Sequence, residues 1–398
     1  MLTGSRVLVI GAGIAGLAVA RALALKGAEV TVLEQAPEIR EVGAGLQIAP
    51  NGARVLIALG LGESLVRIGQ RAEAIELIDG ETGSSVARLP LAPDIEAGGE
   101  PFRPSYRFVH RADLIDILHA GAREAGAVVR TAAQVARIDL SEDRPTVTLD
   151  GGETVSGDLV LGADGLHSRL REALNGRSAP FFTHQVAWRA TLPAEGPIAP
   201  VARVYLGAKR HLVTYPLRGG TLRNIVAVEE RRKWAEESWS LTDDPLALRI
   251  AFDDFVPEVR GWLARIERPN LWGLFRHPVA ERWHGDRAAI LGDAAHPTLP
   301  FLAQGANMAL EDAWVLAASL EMHEEPAEAL AVYQKVRRPR AIRAVEAANA
   351  NARNYHLSGI RRDLAHMGLR LASRIAPARL TGRFDWLYDH DVTGGRGG

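Results

Sequence analysis

Residues 7–34, VLVIGAGIAGLAVARALALKGAEVTVLE, read as a strand, a glycine turn, a helix and a second strand. Gly11, Gly13 and Gly16 fit G-x-G-x-x-G directly after an apolar strand and at the start of a helical pattern. The first glycine permits the tight turn, the second lets a pyrophosphate approach the backbone, and the third lets the helix pack on the strand. The positive end of the helix then faces the phosphates. Glu34 ends the second strand, where an acid accepts hydrogen bonds from ribose hydroxyls and repels a ribose phosphate. The stretch predicts a dinucleotide site for NAD or FAD. A glycine-rich helix entry that merely packs tightly is the structural alternative.

Working outward, 398 residues suit two domains better than one. The formal net charge of −1, with 24% charged residues, gives no reason to expect nucleic acid or an anionic membrane as partner. Every apolar run is interrupted before it reaches membrane-spanning length. The start, MLTGSRVLVI, enters a strand and lacks the basic-then-apolar pattern of a signal peptide. The chain has no cysteine, which excludes disulfides, thiolate nucleophiles and cysteine-held metals. Redox chemistry would need a bound cofactor. The expected location is the cytoplasm.

Residues 50–68 read as helical, and residues 72–91 as short strands with glycine turns. A helix and a strand follow in RADLIDILHAGAREAGAVV, residues 111–129. Residues 181–230 are β-rich, RAAILGDAAHP is a last strand, and the final third is helical. The expected fold is therefore α/β, with a Rossmann-like domain interleaved with a β-sheet substrate domain and a helical C-terminal region. The expected boundaries are 1–75, 103–180 and 280–325 for the dinucleotide domain, 76–102 and 181–279 for the β-rich domain, and 326–398 for the helical region.

Two later stretches narrow the cofactor. DLVLGADGLHSRLR carries Asp164-Gly165, Ser168 and Arg171. AAILGDAAHPTLPFLAQGANMALEDAWVLA carries Gly292-Asp293, His296-Pro297, Pro300, Gly305, Asn307 and Glu311-Asp312. An aspartate ending an apolar strand can accept from a sugar or ribityl hydroxyl. A glycine segment entering a helix offers N–H groups to an electron-rich ring edge or a phosphate. Either aspartate alone could be only a helix cap.

In this order, and with EVGAGLQIAPNGARVLIALGL, RFVHRADL, HLVTYPLRGG and FDWLYDHDV, the chain resembles the single-component FAD-dependent aromatic hydroxylases of the salicylate hydroxylase and 3-hydroxybenzoate 6-hydroxylase type. The likeness runs over nearly the whole chain. It implies FAD in the glycine turn, with NADH or NADPH as a transient co-substrate that needs no second fingerprint. It further implies that Gly11, Gly13, Ala15 and Gly16 face the pyrophosphate and that Glu34 meets the adenosine ribose. Arg111 contacts the cofactor, Val135 meets the adenine, and Asp293 holds the ribityl and pyrophosphate region. Gly305, Ala306 and Asn307 offer backbone to the isoalloxazine, beside a loop from Val42 to Gln47. Asp164 contacts the cofactor or braces its loop with Arg171.

The implied reaction is reduction of the flavin by NAD(P)H, capture of O2 as a C4a-hydroperoxide, and oxygen transfer to an electron-rich ring. A phenolate reacts far better than a phenol, so a base is needed near the substrate hydroxyl. In RHLVTYPL, period-two alternation puts His211, Val213 and Tyr215 on one strand face, with His211 and Tyr215 about 13 Å apart. His211 suits the base. The resemblance implies the same role, with Gln304 orienting the phenol and Tyr215 binding the substrate. A solvent-facing strand-end histidine is the plain alternative.

Trp188 and Arg189 are expected on a sheet walling the pocket, Arg189 facing a substrate carboxylate or the surface. The resemblance implies that His296 supports its loop, and Tyr106 is expected to reach toward the substrate side. The scattered histidines predict no metal site. IRRDLAHMGLRLASRIAPARL, residues 360–380, is a basic amphipathic helix pattern that docks its stripe on its own fold by default, with a dimer contact or a membrane surface as the alternatives. The expected partners are a small aromatic acid (salicylate or 3-hydroxybenzoate type) and O2, with no nucleic acid or membrane; a homodimer is open. The rival readings are a monooxygenase of a hydroxynicotinate- or purine-like heterocycle, a flavin reductase without oxygen transfer, and a redox-sensing flavoprotein.

Overall fold

The computed structural model describes residues 2–39, 44–91, 104–141, 143–231, 243–376, 380 and 382–394. Its first core surrounds a five-stranded parallel sheet. The strand order is β18 (Ala288–Ile290), β12 (Leu159–Gly162), β1 (Arg6–Ile10), β2 (Glu29–Leu33) and β8 (Val128–Arg130). β1 lies at the centre, with Val7 level with Leu159 on one side and Val30 on the other. Its RVLVI sequence is buried from Val7 onward, as both-faces burial of a parallel strand requires. Helix α1 (Ile14–Ala24) follows the glycine turn and packs on α4 (Arg111–Glu124) and on the later α8 (Gly305–Met322).

Helices α2 (Pro50–Ala58) and α3 (Gly62–Ile68) divide the helical run at 50–68. The break falls at Gly60, whose φ of +74° ends α2 in the left-handed region. A small sheet joins β3 (Gly45–Ile48), β7 (Arg107–His110) and β4 (Gly69–Arg71), and a meander joins β11 (Thr154–Ser156), β10 (Thr146–Leu149) and β9 (Val135–Asp139).

The largest sheet has seven strands, in the order β17 (Asn270–Arg276), β13 (Phe181–Pro193), β16 (Leu222–Glu230), β15 (Arg210–Leu217), β14 (Val201–Gly207), β5 (Ala74–Asp79) and β6 (Ser85–Pro90). It is antiparallel except where β14 meets β5. One face packs on α6 (Pro245–Ala251) and α7 (Pro257–Ala264) through Trp188, Tyr205, Phe252, Phe255 and Trp262. Trp188 donates from Nε1 to Asp243 at 2.8 Å on that side. It therefore does not wall the pocket with Arg189: neighbouring strand residues point to opposite faces, and only Arg189 faces the cleft.

The chain continues through α5 (Arg169–Asn175), the long α9 (Pro326–Tyr355) and α10 (Gly359–Ile375). The expectation for α10 is reversed. Its polar side docks on β6 and the turn before it: Arg362 pairs with Glu81, His366 lies 3.3 Å from Asp79, and Arg370 donates to Ser84 at 2.7 Å. Its apolar stripe of Ile360, Leu364, Met367, Leu371 and Ile375 faces outward. Polar contacts to the acidic turn, not the apolar stripe, join this helix to the fold.

Candidate active site

A cleft of about 840 Å³ opens where β1, β2, β12 and β18 end, the edge at which open α/β sheets bind ligands. Gly11, Gly13, Glu34, Arg111, Val135, Asp164 and Asp293 line it. Gly11 has φ +97°, and a Cβ there would lie 2.5 Å from the Ala163 carbonyl oxygen. A Cβ on Gly16 would lie 1.9 Å from the Gly11 oxygen, so this glycine brings helix against strand. Gly13 has open space around it, as close approach of a pyrophosphate to the backbone needs. Ala15 and Gly16 sit buried in the first turn of α1 and do not line the cleft.

The Glu34 carboxylate accepts from Ala12 N at 2.8 Å and from Ala36 N at 2.9 Å, fixing the glycine turn to the end of β2. Asp164 accepts from Arg169 N at 2.8 Å. Arg171 does not pair with Asp164; it donates to the carbonyls of Pro278 at 2.8 Å and Ala294 at 3.0 Å, bracing the Asp293 loop instead. That loop is also held from below. Asp312 accepts from Gly292 N at 3.0 Å, from His296 and from Arg337, while Glu311 binds Arg337, Arg340 and Asn51. Burial opposes the Asp312 charge, but His296 and Arg337 win and hold its carboxyl below the usual range. These donors and acceptors fit an extended dinucleotide: open backbone at Gly13, carboxylates at Glu34 and Asp293, and a cation at Arg111.

A second group lies on the seven-stranded sheet. Register places Arg189 opposite Val226, which lies opposite Val213; Tyr215 is opposite Asn224 and His211 opposite Val228. Directly paired residues share a face, so Arg189, His211, Tyr215 and Asn224 all project to the side away from Trp188. Arg189 stands two strands, about 10 Å, across from the midpoint between His211 and Tyr215. Its guanidinium lies 4.3 Å above the Trp272 ring and lines the same cleft. Among the described residues it has no carboxylate partner, and burial, with Arg111 nearby, draws its pKa down to about 10.

His211 is 2% exposed, which removes the solvent-facing alternative. Its ring packs against Phe301 and Tyr355. Burial, then His356, pushes its pKa well below the ordinary histidine value, so the ring is a neutral base at pH 7. Tyr215 stacks on Phe108 with centroids 5.0 Å apart, bonds to Gln47, and is pushed up by burial. Gln47 also accepts from Tyr106 OH at 2.7 Å. A Cβ on Gly45 would lie 2.6 Å from the Tyr215 ring, so this glycine makes room for the tyrosine. Val42, at the other end of that loop, lies outside the described residues.

Gln304 precedes α8 and is buried; its Oε1 accepts from Asn51 at 3.0 Å, while its Nε2 is an unpartnered donor among the described residues. Gly305, Ala306 and Asn307 form the first turn of α8, whose N–H groups have no intrahelical acceptor. The Asn307 side chain binds Ala49 N at 2.9 Å and Ala303 O at 2.8 Å, stapling α2 to that turn. Sequence reasoning missed Asn51, Tyr355, His356 and Glu230. Tyr355 and His356 sit in a helical run with no motif around them, and only the fold brings them to His211.

A parallel sheet with a glycine turn, joined to a second sheet that sends Arg189 into the same cleft, is the architecture of a dinucleotide-binding oxidoreductase. The chain belongs to the FAD binding domain family, whose model matches residues 5–348. It is 37% identical over 363 residues to 3-amino-4-hydroxybenzoate 2-monooxygenase of Streptomyces cremeus, covering 88% of each chain. It is 34% identical over 399 residues to 3-hydroxybenzoate 6-hydroxylase 1 of Aquipseudomonas alcaligenes, covering 98% of each. A salicylate hydroxylase substrate complex superposes with a TM-score of 0.81 at 26% identity, covering 98% of this chain and 96% of that one. These relatives are monooxygenases and hydroxylases of aromatic acids. No helix among the described residues is long and apolar enough to cross a membrane.

Proposed function

We propose that this protein is an FAD-dependent monooxygenase that uses NAD(P)H and O2 to hydroxylate a small hydroxylated aromatic acid of the salicylate or 3-hydroxybenzoate type. The observation that carries the reading is the sheet face with His211, Tyr215 and Arg189 around one centre, beside a cleft that fits a dinucleotide. Gly11, Gly13, Glu34, Arg111, Val135, Asp164 and Asp293 would hold FAD along the cleft, where it would supply the activation of oxygen. Gly305, Ala306 and Asn307, in the first turn of α8, would offer backbone donors to its ring end, with Gln47 on the neighbouring strand.

His211 takes the phenol proton, because its buried ring is neutral and its Nε2 has no partner among the described residues. Gln304 Nε2 donates to the resulting phenolate oxygen. Arg189 holds the carboxylate as a charge-assisted pair, and Tyr215 holds the ring in register with the base. Burial of His211, Tyr215 and Gln304 keeps water from the reacting centre, while Arg189 stands on its open, cleft side.

The test is oxygen uptake by FAD-loaded protein with NADH, adding salicylate and then 3-hydroxybenzoate, with product analysis. Stimulation with hydroxylated product matching the oxygen used supports the reading. Hydrogen peroxide without product points to another ring, such as an N-heterocycle, and no stimulation points to a reductase or sensor. Dependence on NAD(P)H favours the cytoplasm as the place of work, which cell fractionation checks. The outward stripe of α10 is the surface a homodimer would cover, which sedimentation tests.

A further inference from the structure

His211 does not end the polar chain at the site. Its Nδ1 lies 2.8 Å from Nε2 of His356, and Nδ1 of His356 lies 2.9 Å from Oε1 of Glu230. The three residues come from β15, the end of α9 and the end of β16. The His356 side chain is 2% exposed, whereas that of Glu230 is 40% exposed, so the chain runs from the buried base to water. Main-chain bonds fix both ends to one turn: Lys209 N donates to the His356 carbonyl at 3.3 Å, and Glu230 N donates to the Lys209 carbonyl at 3.0 Å.

Proton counting sets every tautomer. A carboxylate only accepts, so the Nδ1–H of His356 donates to Glu230. The His356 Nε2 is then a lone pair, and it accepts from the Nδ1–H of His211. The His211 Nε2 is left as a lone pair, and no described residue hydrogen-bonds to it. Among neighbouring groups, the Tyr355 phenol is pushed up to about 12 by burial and stays neutral. Arg231 engages Glu229, and Arg210 engages Asp254. The Lys209 main chain binds both ends of the chain, which leaves Glu230 as the anion that closes it.

We propose that His356 and Glu230 are positioning residues that hold His211 as a base and carry the proton it takes to solvent. This rests on the reading of His211 as the base for the substrate phenol. The step balances as follows. The phenol O–H breaks and His211 Nε2 gains the proton. His211 Nδ1 gives its proton to His356 Nε2, His356 Nδ1 gives its proton to Glu230, and Glu230 releases it to water. Return of a proton by the reverse route, when the product leaves as a phenol, resets both rings.

The experiment mixes FAD-loaded enzyme with 3-hydroxybenzoate in weak buffer, following phenolate absorbance and a pH indicator together by stopped flow. In the wild type, phenolate formation and proton release share one phase. In H356F both slow about tenfold or more, added imidazole restores them, and FAD affinity is unchanged. In E230Q, at a half-exposed position, loss of the carboxylate that accepts the last proton slows phenolate formation and proton release together, while FAD affinity is unchanged. Wild-type rates in both H356F and E230Q, with phenolate formation abolished in H211N, overturn the relay while leaving the base in place. Wild-type phenolate formation in H211N overturns both.

Discussion

Arg189→Met separates a ligand-binding arginine from a surface one. The guanidinium faces the cleft, stacks 4.3 Å above Trp272 and has no carboxylate partner among the described residues. Burial first, then Arg111, holds its pKa at about 10. At face value keeping the charge there costs roughly 3 kcal/mol, and about 1–2 kcal/mol once water in the open cleft is allowed for. Methionine keeps the apolar stem on Trp272 and loses about 0.5–1 kcal/mol of cation–π attraction. The ligand-free variant should therefore be as stable as the wild type, or more stable by about 1 kcal/mol, a rise in Tm of roughly 2 °C. The substrate carboxylate loses a charge-assisted bond of about 1.5–3 kcal/mol, weakening binding roughly 10- to 150-fold. Calorimetry gives the first quantity, and titration of flavin absorbance with 3-hydroxybenzoate and 3-hydroxybenzamide gives the second. The amide, which carries no charge, should bind both proteins alike. Equal weakening toward acid and amide, or lost stability with unchanged acid binding, would refute the reasoning.

Gly11→Ala drives a Cβ to within 2.5 Å of the Ala163 oxygen at φ +97°, so the purified variant should have lost its FAD, as its flavin absorbance will show. His211→Gln should keep FAD and lose kcat by about 10²–10⁴-fold, the range of general-base catalysis. Because burial and then His356 lower the His211 pKa, the base is already free at neutral pH. The acid limb of the wild-type kcat/KM profile should therefore fall below the ordinary histidine value of about 6.5. Asp312→Asn leaves Arg337 and His296 short of their shared anion and should cost about 3–5 kcal/mol in urea unfolding. The folded pKa of Asp312 lies below its unfolded value. The stability it contributes is therefore fully present above the unfolded value of about 3.9 and lost as pH falls through the folded one. Acid titration of Tm in wild type and variant should show that difference.

The dinucleotide fold was legible because its signals are local. The glycines, the strand before them and the acid ending β2 occupy fixed places within residues 7–34, and period-two alternation put His211 and Tyr215 on one face. Alternation also separates Trp188 from Arg189, but which face meets the cleft depends on the pairing of β13 with β16 and β17, which no single strand records. The relay was hidden for the same reason, since His211 and His356 are 145 residues apart and meet only where α9 ends against the hairpin turn. For α10, periodicity identified an amphipathic helix, while the acidic turn at Asp79 and Glu81 decided which side docks.

The most direct test of the central claim is mass spectrometry of the product formed under isotopically labelled dioxygen, with FAD, NADH and whichever hydroxybenzoate stimulates oxygen uptake. One labelled oxygen atom in each newly formed ring hydroxyl is the predicted result. A product without label, or oxidised substrate with no added oxygen, would contradict it and assign the flavin site to dehydrogenation.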